Sequence, residues 1–408
     1  MIKKRILPIA LFVAIMLLAL SVAFSASAAP DEDFIVPPYP APAGEAQTME
    51  YVASYLLQFT GLSATQLGVY PRDHISMAKN VGLFEGVDFV QGAECSFEDY
   101  QKMTANLEPL YKNMTTEPQV PFFYDGMAQP TFKRSEAIRF VVYVESRYDT
   151  DGDGKLDLIK AVIQVPKSGL SGAKFGAVAE FIPYSAGTNG ESYSAYMAPA
   201  GSTFDQTKLY AQPPARVPAG VATTAEHAAV ANPSDWQYIY GTGSSINAFT
   251  TRTSYDYYLA RGFAVVLTAG RGTCQSEGIS TCGSDLEIDG FKAIIDWLNG
   301  DAVAYTNKTD NIEIKADWSN GNLGMTGTSY GGTTQFGLAT TGVKGLKAII
   351  PVAGIASWYE YSFMQGAPNN STLPYTEYLA FYVDSRLRNN SPFGNNSMTE
   401  YNEAIQTT

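Results

Sequence analysis

Between Gly327 and Gly331 the chain reads Gly-Thr-Ser-Tyr-Gly, and the flanks of that pentapeptide restrict the fold more than any other stretch. Ahead of it, "NLGMTG" is a short strand-like run; behind it, "GGTTQFGLATTG" has helical character and closes at Gly342. A serine between two glycines at a strand-to-helix junction is the pattern of a nucleophile elbow. The chain must reverse so sharply there that a Cβ on either flank would meet neighbouring backbone, and the serine is held in a conformation that L-residues avoid. Ser329 is therefore the candidate nucleophile, and the N–H of Tyr330 is aimed at the place where an oxyanion would form.

The surrounding sequence supports a sheet on which such a turn can be mounted. "IRFVVYVES" and "LIKAVIQVP" are β-branched runs joined by an acidic turn, and "FGAVAEFIPY" is a third strand. "FAVVLTAGRGT" is continuously apolar and ends in glycine, as strands buried on both faces do. "DLEIDGFKAIIDWL" then has helical spacing, and "LKAIIPVAG" is another buried strand. Strands alternating with helices predict an α/β fold with a mostly parallel sheet covered on both sides, over residues 130–360.

The amino-terminal part has a different texture. "MIKKR" is basic, residues 6–24 are almost wholly apolar, and "SASAAP" offers small residues for cleavage, so residues 1–29 read as a signal peptide. A proline-rich linker occupies residues 30–45. Residues 46–120 read as a small helical domain: "MEYVASYLLQF" and "HISMAKNVGLF" carry apolar residues at helical spacing, and "SFEDYQKMTANLEPL" opens with Ser96 as N-cap and Asp99 three residues on. This unit distantly resembles the S-layer homology repeats, which would imply association with a cell wall. The chain carries 40 acidic against 27 basic residues, a formal −13, and loses three bases and no acid with the leader. Such a surface repels nucleic acid and anionic membrane. The expected location is outside the cell or on its surface.

Several ordered segments together resemble one family. "GNLGMTGTSYGGTTQFGLATTGVKGLKAIIPVAGIASWYEY", "YYLARGFAVVLTAGRGTCQSEG", "AIIDWLNGDAVAYTN" and "IKADWSNGNLGM" are similar to the X-prolyl dipeptidyl aminopeptidases, serine peptidases of the α/β-hydrolase fold related to cocaine esterase. The resemblance implies that Ser329 attacks the scissile carbonyl and that Tyr184, in "EFIPYSAG", completes the oxyanion hole beside Tyr330. It implies that Tyr361, in "SWYEY", lines the substrate pocket. Glu377 would correspond to the carboxylate that holds the substrate's α-amino group, in a stretch, residues 361–408, that begins the family's helical cap. The substrates would be peptides with proline second from the amino terminus. An esterase or acylase of the cocaine esterase type, or a degenerate wall-associated binding protein, stays open, as does a homodimer.

A serine nucleophile needs a base, and in α/β-hydrolases the order is serine, then acid, then histidine. This chain has two histidines, His74 and His227, and both precede Ser329. The resemblance places the acid and the histidine beyond Thr408, so the 408 residues are expected to be an amino-terminal portion, without its last strands and inactive by itself. Two smaller features remain. Cys274 and Cys282 flank a short loop where an oxidising compartment would permit a disulfide, leaving Cys95 as a buried thiol. "DTDGDGKLD" sets Asp149, Asp151, Asp153 and Asp157 at EF-hand-like positions, yet Lys160 stands where a bidentate glutamate belongs and the flanks are strands. No cofactor is required by this reading; a structural calcium at the turn is an option, and so is a metal-free Asp/Gly turn.

Overall fold

A computed structural model describes residues 36–40, 47–62, 67–112, 118–124, 126–183, 206–230, 254–273, 275–281 and 283–368. Three helices come first: α1 (Met49–Gln58), α2 (Arg72–Asn80) and α3 (Phe97–Lys112). They gather Val52, Leu56, Phe59, Ala78, Leu83, Met103 and Leu107 into a core cluster of their own. The start of α3 is fixed as the sequence suggests, with the Ser96 hydroxyl accepting the Asp99 N–H at 3.1 Å and donating to the Asp99 carboxylate at 2.7 Å. Among the described residues no helix is long and apolar enough to cross a membrane.

A two-residue-per-strand hairpin follows, β1 (Phe123–Tyr124) with β2 (Met127–Ala128). The main sheet is then built from β3 (Ile138–Glu145), β4 (Leu158–Val165), β5 (Phe175–Glu180) and β6 (Gly220–Ala222), the last leading into α4 (Thr224–Val230). Next come α5 (Ser254–Ala260), β7 (Ala264–Thr268), α6 (Asp285–Leu298), β8 (Ala304–Tyr305) and β9 (Ile312–Ile314). β10 (Ser319–Thr328), α7 (Tyr330–Thr340), β11 (Leu346–Val352) and α8 (Trp358–Ser362) follow, and β12 (Phe363–Met364) pairs with β13 (Ala367–Pro368).

The nine-stranded sheet has the order β11-β10-β5-β7-β4-β3-β8-β9-β6. Its pairings β11–β10–β5–β7 are all parallel, and the antiparallel ones begin where the β3–β4 hairpin joins β7. The fold is thus α/β, and the sheet is mixed. The mostly parallel expectation describes the half that carries the serine turn; from β7 to β9 the pairings are antiparallel, at β3–β4 because the turn is too short for a crossover, and the edge pair β9–β6 is parallel again.

The continuous apolar strands are explained by burial on both faces. In β3, Phe140, Val142 and Val144 enter one core cluster, while Val141 and Tyr143 enter another. β4 divides Ile159, Ala161 and Ile163 from Leu158 and Val162, and β7 divides Ala264 and Val266 from Val265 and Leu267. This is the period-two alternation of a strand with no solvent face. α6 supplies Phe291, Ile294, Ile295, Trp297 and Leu298 to the larger cluster. Its start is set by Ser284, whose hydroxyl accepts the N–H groups of Leu286 and Glu287. Phe291 is fully buried and stacks on Phe181 at the end of β5, with ring centroids 5.7 Å apart. Phe291→Ala is expected to cost about 3–5 kcal/mol of stability, read as a lower midpoint in urea or thermal unfolding.

Candidate active site

The carboxyl ends of the parallel strands β5, β7 and β10 lie side by side, and β5 has β7 on one flank and β10 on the other. In an open α/β sheet that is where a ligand crevice forms. Ser329 sits there as the single residue between β10 and α7, and it is exposed. Its backbone is at φ 59°, ψ −115°, a conformation that costs a residue with a Cβ of order 1–3 kcal/mol. The turn is held from both sides. The Ser329 N–H donates to Val352 O of β11 at 2.8 Å, and Ser329 O accepts from the N–H groups of Gly332 and Thr333 at 2.9 and 3.0 Å.

Close approach explains the glycines. A Cβ at Gly332 would stand 2.9 Å from both the Gly354 Cα and Val352 O, which are backbone and cannot swing away. A Cβ at Gly327, where φ is 151°, would stand 2.9 Å from Glu180 Oε1. The Glu180 carboxyl at the end of β5 therefore fills the hollow of the turn, and it accepts the Thr328 N–H. Burial pushes this carboxyl up to about 7 despite that donor.

Tyr330 is the first residue of α7, so its N–H points out of the helix amino terminus with the helix dipole behind it. Its ring is buried, and the phenol donates to Glu287 Oε2. The Trp358 ring meets it edge-on at 6.2 Å, and Tyr361 meets Trp358 at 6.0 Å. Tyr361 is thus part of an aromatic wall that begins at the residue after the serine. The segment beyond β5 is pinned beside the turn: Thr334 of α7 donates to Phe181 O and Thr273 donates to Pro183 O, each at 2.7 Å. Tyr184, the next residue, lies outside the described residues, as do Glu377, Cys274, Cys282, the segment 1–29 and the cap segment from 369 onward.

Both histidines are held elsewhere. His74 Nδ1 is 2.7 Å from the Ser54 hydroxyl on α1, and His227 Nε2 is 2.6 Å from Val141 O of β3. Cys95 is a free, buried thiol whose pKa burial raises to about 11.

At the β3–β4 turn, Asp149, Asp151 and Asp153 each bring a carboxylate oxygen within 4.8 Å of the others. The fourth acid departs from the ligand set that the sequence suggests. Asp157 faces inward, ion-paired to Arg271 and accepting from the Thr150 hydroxyl at 2.7 Å. The reason is that β4 begins at the next residue, which turns position 157 toward the core. The Arg271 guanidinium also holds Asp289 at 3.2 Å and donates to Leu286 O at 3.1 Å. The turn itself is closed by backbone donors. Gly152 and Gly154 donate to Asp149, Asp153 donates to Asp151, and Lys155 donates to Asp153.

Two acids of this region escaped the reading of the sequence. Glu180 closes the otherwise apolar strand "FGAVAE", and Glu287 lies on the face of α6 that buries Phe291 and Ile294. A charged residue at an apolar position was the available signal in both.

A family model for X-Pro dipeptidyl-peptidase (S15 family) matches residues 151–407. The Xaa-Pro dipeptidyl-peptidase of Ligilactobacillus salivarius is 39% identical over 252 residues, covering 59% of this chain and 30% of that protein. The one from Lactiplantibacillus plantarum is 40% identical over 283 residues, 66% of this chain and 33% of that protein. The chain therefore spans about a third of the length of these curated relatives. Among solved structures, a CocE/NonD family hydrolase from Staphylococcus aureus aligns over 61% of this chain and 36% of its own, at 19% identity and a TM-score of 0.33.

If the backbone at 329 is strained as described, relieving it should be measurable without any substrate. Ser329→Gly is expected to unfold at higher temperature than Ser329→Ala, by the equivalent of about 1–2 kcal/mol, because glycine alone adopts this conformation freely. Equal stabilities would contradict the strained turn.

Proposed function

The chain belongs to the X-Pro dipeptidyl-peptidase (S15) family, and on that premise we propose that it supplies the nucleophile half of an exported serine peptidase. The observation that carries the reading is Ser329, exposed at φ 59° on a strand-to-helix turn at the carboxyl ends of parallel strands. In this proposal Ser329 Oγ attacks the carbonyl carbon of the proline itself, the rest of the peptide leaves as its protonated amine, and water then hydrolyses the X-Pro ester of the acyl-enzyme. The Tyr330 N–H and the Tyr184 phenol stabilise the oxyanion; a phenol donates strongly yet stays neutral. Tyr361 and Trp358 would face the proline side of the substrate, and Glu377 would hold its free amino group. Proline's tertiary amide lacks an N–H, which sets such substrates apart from those of general aminopeptidases.

The proposal carries a requirement. Acyl transfer needs a base at Ser329 Oγ, and neither His74 nor His227 is turned to it. The base must therefore be a group other than these two histidines.

The test is hydrolysis of Gly-Pro- and Ala-Pro-p-nitroanilide beside a simple aryl ester, by the product of the native gene and its Ser329→Ala variant. Anilide cleavage that Ser329→Ala lowers by about 10³-fold or more supports the peptidase. Cleavage of the ester alone would favour an esterase or acylase of the cocaine esterase type, and turnover of neither would leave a wall-associated binding protein. Export through residues 1–29 and self-association as a homodimer belong to the same proposal.

A structural calcium at Asp149, Asp151 and Asp153 is the remaining part. In its favour, burial together with the charges of Asp157 and Asp153 pushes the Asp151 carboxyl up to about 8, a crowding that a cation would relieve. Millimolar calcium should then raise the melting temperature of the wild type and leave that of Asp151→Asn unchanged; no shift in either would remove calcium from the reading.

A further inference from the structure

Glu287 is 1% exposed, and a glutamate so placed needs a reason. Its Oε2 accepts the Tyr330 phenol and, at 2.9 Å, the Gly283 N–H. Its Oε1 is buried with no hydrogen-bond partner among the described residues. That unpartnered oxygen faces a specific place. A methyl group added at Gly270 would lie 3.5 Å from Oε1 and 2.7 Å from the Pro183 Cα, so Gly270 is the spacer between this carboxyl and the segment leading to Tyr184. One side chain is therefore bonded to Tyr330 and stands a glycine away from Pro183.

We propose that Glu287 is a positioning residue for acyl transfer, acting through the Tyr330 ring on the backbone N–H that follows Ser329. The inference rests on the serine-hydrolase reading above. The Glu287 carboxyl at its hydroxyl and the Trp358 edge both bear on the Tyr330 ring, and through it on the rotation of the first residue of α7. An oxyanion donor misplaced by a fraction of an ångström loses much of its effect, since its value lies in being aimed beforehand.

The protonation state matters to the same role. Burial pushes Glu287 up to about 7, against the Tyr330 and Gly283 donors and the charge of Arg271, which pull it down. Arg271 is the cation that faces it, and its guanidinium is already shared between Asp157 and Asp289. On its own helix Asp289 is turned to Arg271 and Arg147, and Asp285 is bonded by the Tyr210 hydroxyl. Below pH of about 7 the carboxyl is neutral and adds no charge behind the site. Above it, an anion with one unsatisfied oxygen stands behind a developing oxyanion and opposes it. Stability has the same sign: the folded-state pKa lies above the ordinary carboxylate value, so this group's contribution is full below about pH 4.5 and lost as pH rises through about 7.

The experiment measures kcat and KM from pH 5 to 9, with melting temperatures, for the wild type, Glu287→Gln, Glu287→Ala and Tyr330→Phe of the native gene product, on the substrate that it turns over. Glu287→Gln keeps an acceptor for Tyr330 and cannot ionise, so its kcat at pH 6 should stay within about threefold of wild type and should lack the wild-type decline through pH 7. Glu287→Ala and Tyr330→Phe should lower kcat by about tenfold or more with KM nearly unchanged. A Glu287→Gln profile that superimposes on the wild type, or a Glu287→Ala kcat equal to wild type in a folded protein, overturns the proposal. Should the wild type turn over nothing, the peptidase reading fails, and tryptophan emission decides the geometry. It should titrate near pH 7 through Trp358, and that titration should vanish in Glu287→Gln and in Trp358→Phe; persistence in Glu287→Gln overturns the positioning role.

Discussion

The site depends on one backbone dihedral, the positive φ of Ser329. A residue with a Cβ stays there only if its neighbours leave it no alternative, and in this fold they come from three directions. β11 accepts the Ser329 N–H, the first turn of α7 donates two N–H groups to its carbonyl, and the Glu180 carboxyl fills the hollow against Gly327 and Gly331. The glycine at 332 then lets α7 rest directly on the backbone of Gly354.

Around that turn, burial is concentrated in carboxylates as well as in apolar side chains. Glu180 lies against Gly327 and Gly331 and Glu287 at the Tyr330 hydroxyl, and for both burial is the largest cause of a raised pKa. Asp157 and Asp289 differ, because each is matched by Arg271, although burial still outweighs the ion pair and leaves both raised. Glu180 and Glu287 touch the turn and the helix that follows it, whereas Asp157 and Asp289 brace the loop after β7 and the start of α6 through Arg271.

Much of this was legible in the sequence because it is written in local periodicity. The β-branched runs of β3, β4 and β7 are continuous since both faces are buried, and Gly-Thr-Ser-Tyr-Gly needs its glycines within three residues of the serine. The direction of the strands was less legible. The change from parallel to antiparallel pairing within the sheet lies where β4 meets β7, a pairing between segments about a hundred residues apart that leaves no local mark. Asp157 was read as a turn ligand by its spacing, whereas the core claimed it through Arg271, whose partners are set by tertiary contacts alone. Glu180 and Glu287 were hidden for the same reason: each has a plausible surface role until the packing around it is known.

The contacts that hold the turn are long in sequence, and that has a kinetic consequence. The β3–β4 hairpin closes within one short loop and can form early. The serine turn cannot. It needs β10 beside β5, and the Thr334 hydroxyl that ties α7 to Phe181 reaches across 153 residues. Closing loops of that length is entropically costly until the sheet rewards it. The strained serine is therefore a property of the last stages of folding, and a chain threaded or only partly folded presents Ser329 as an ordinary alcohol.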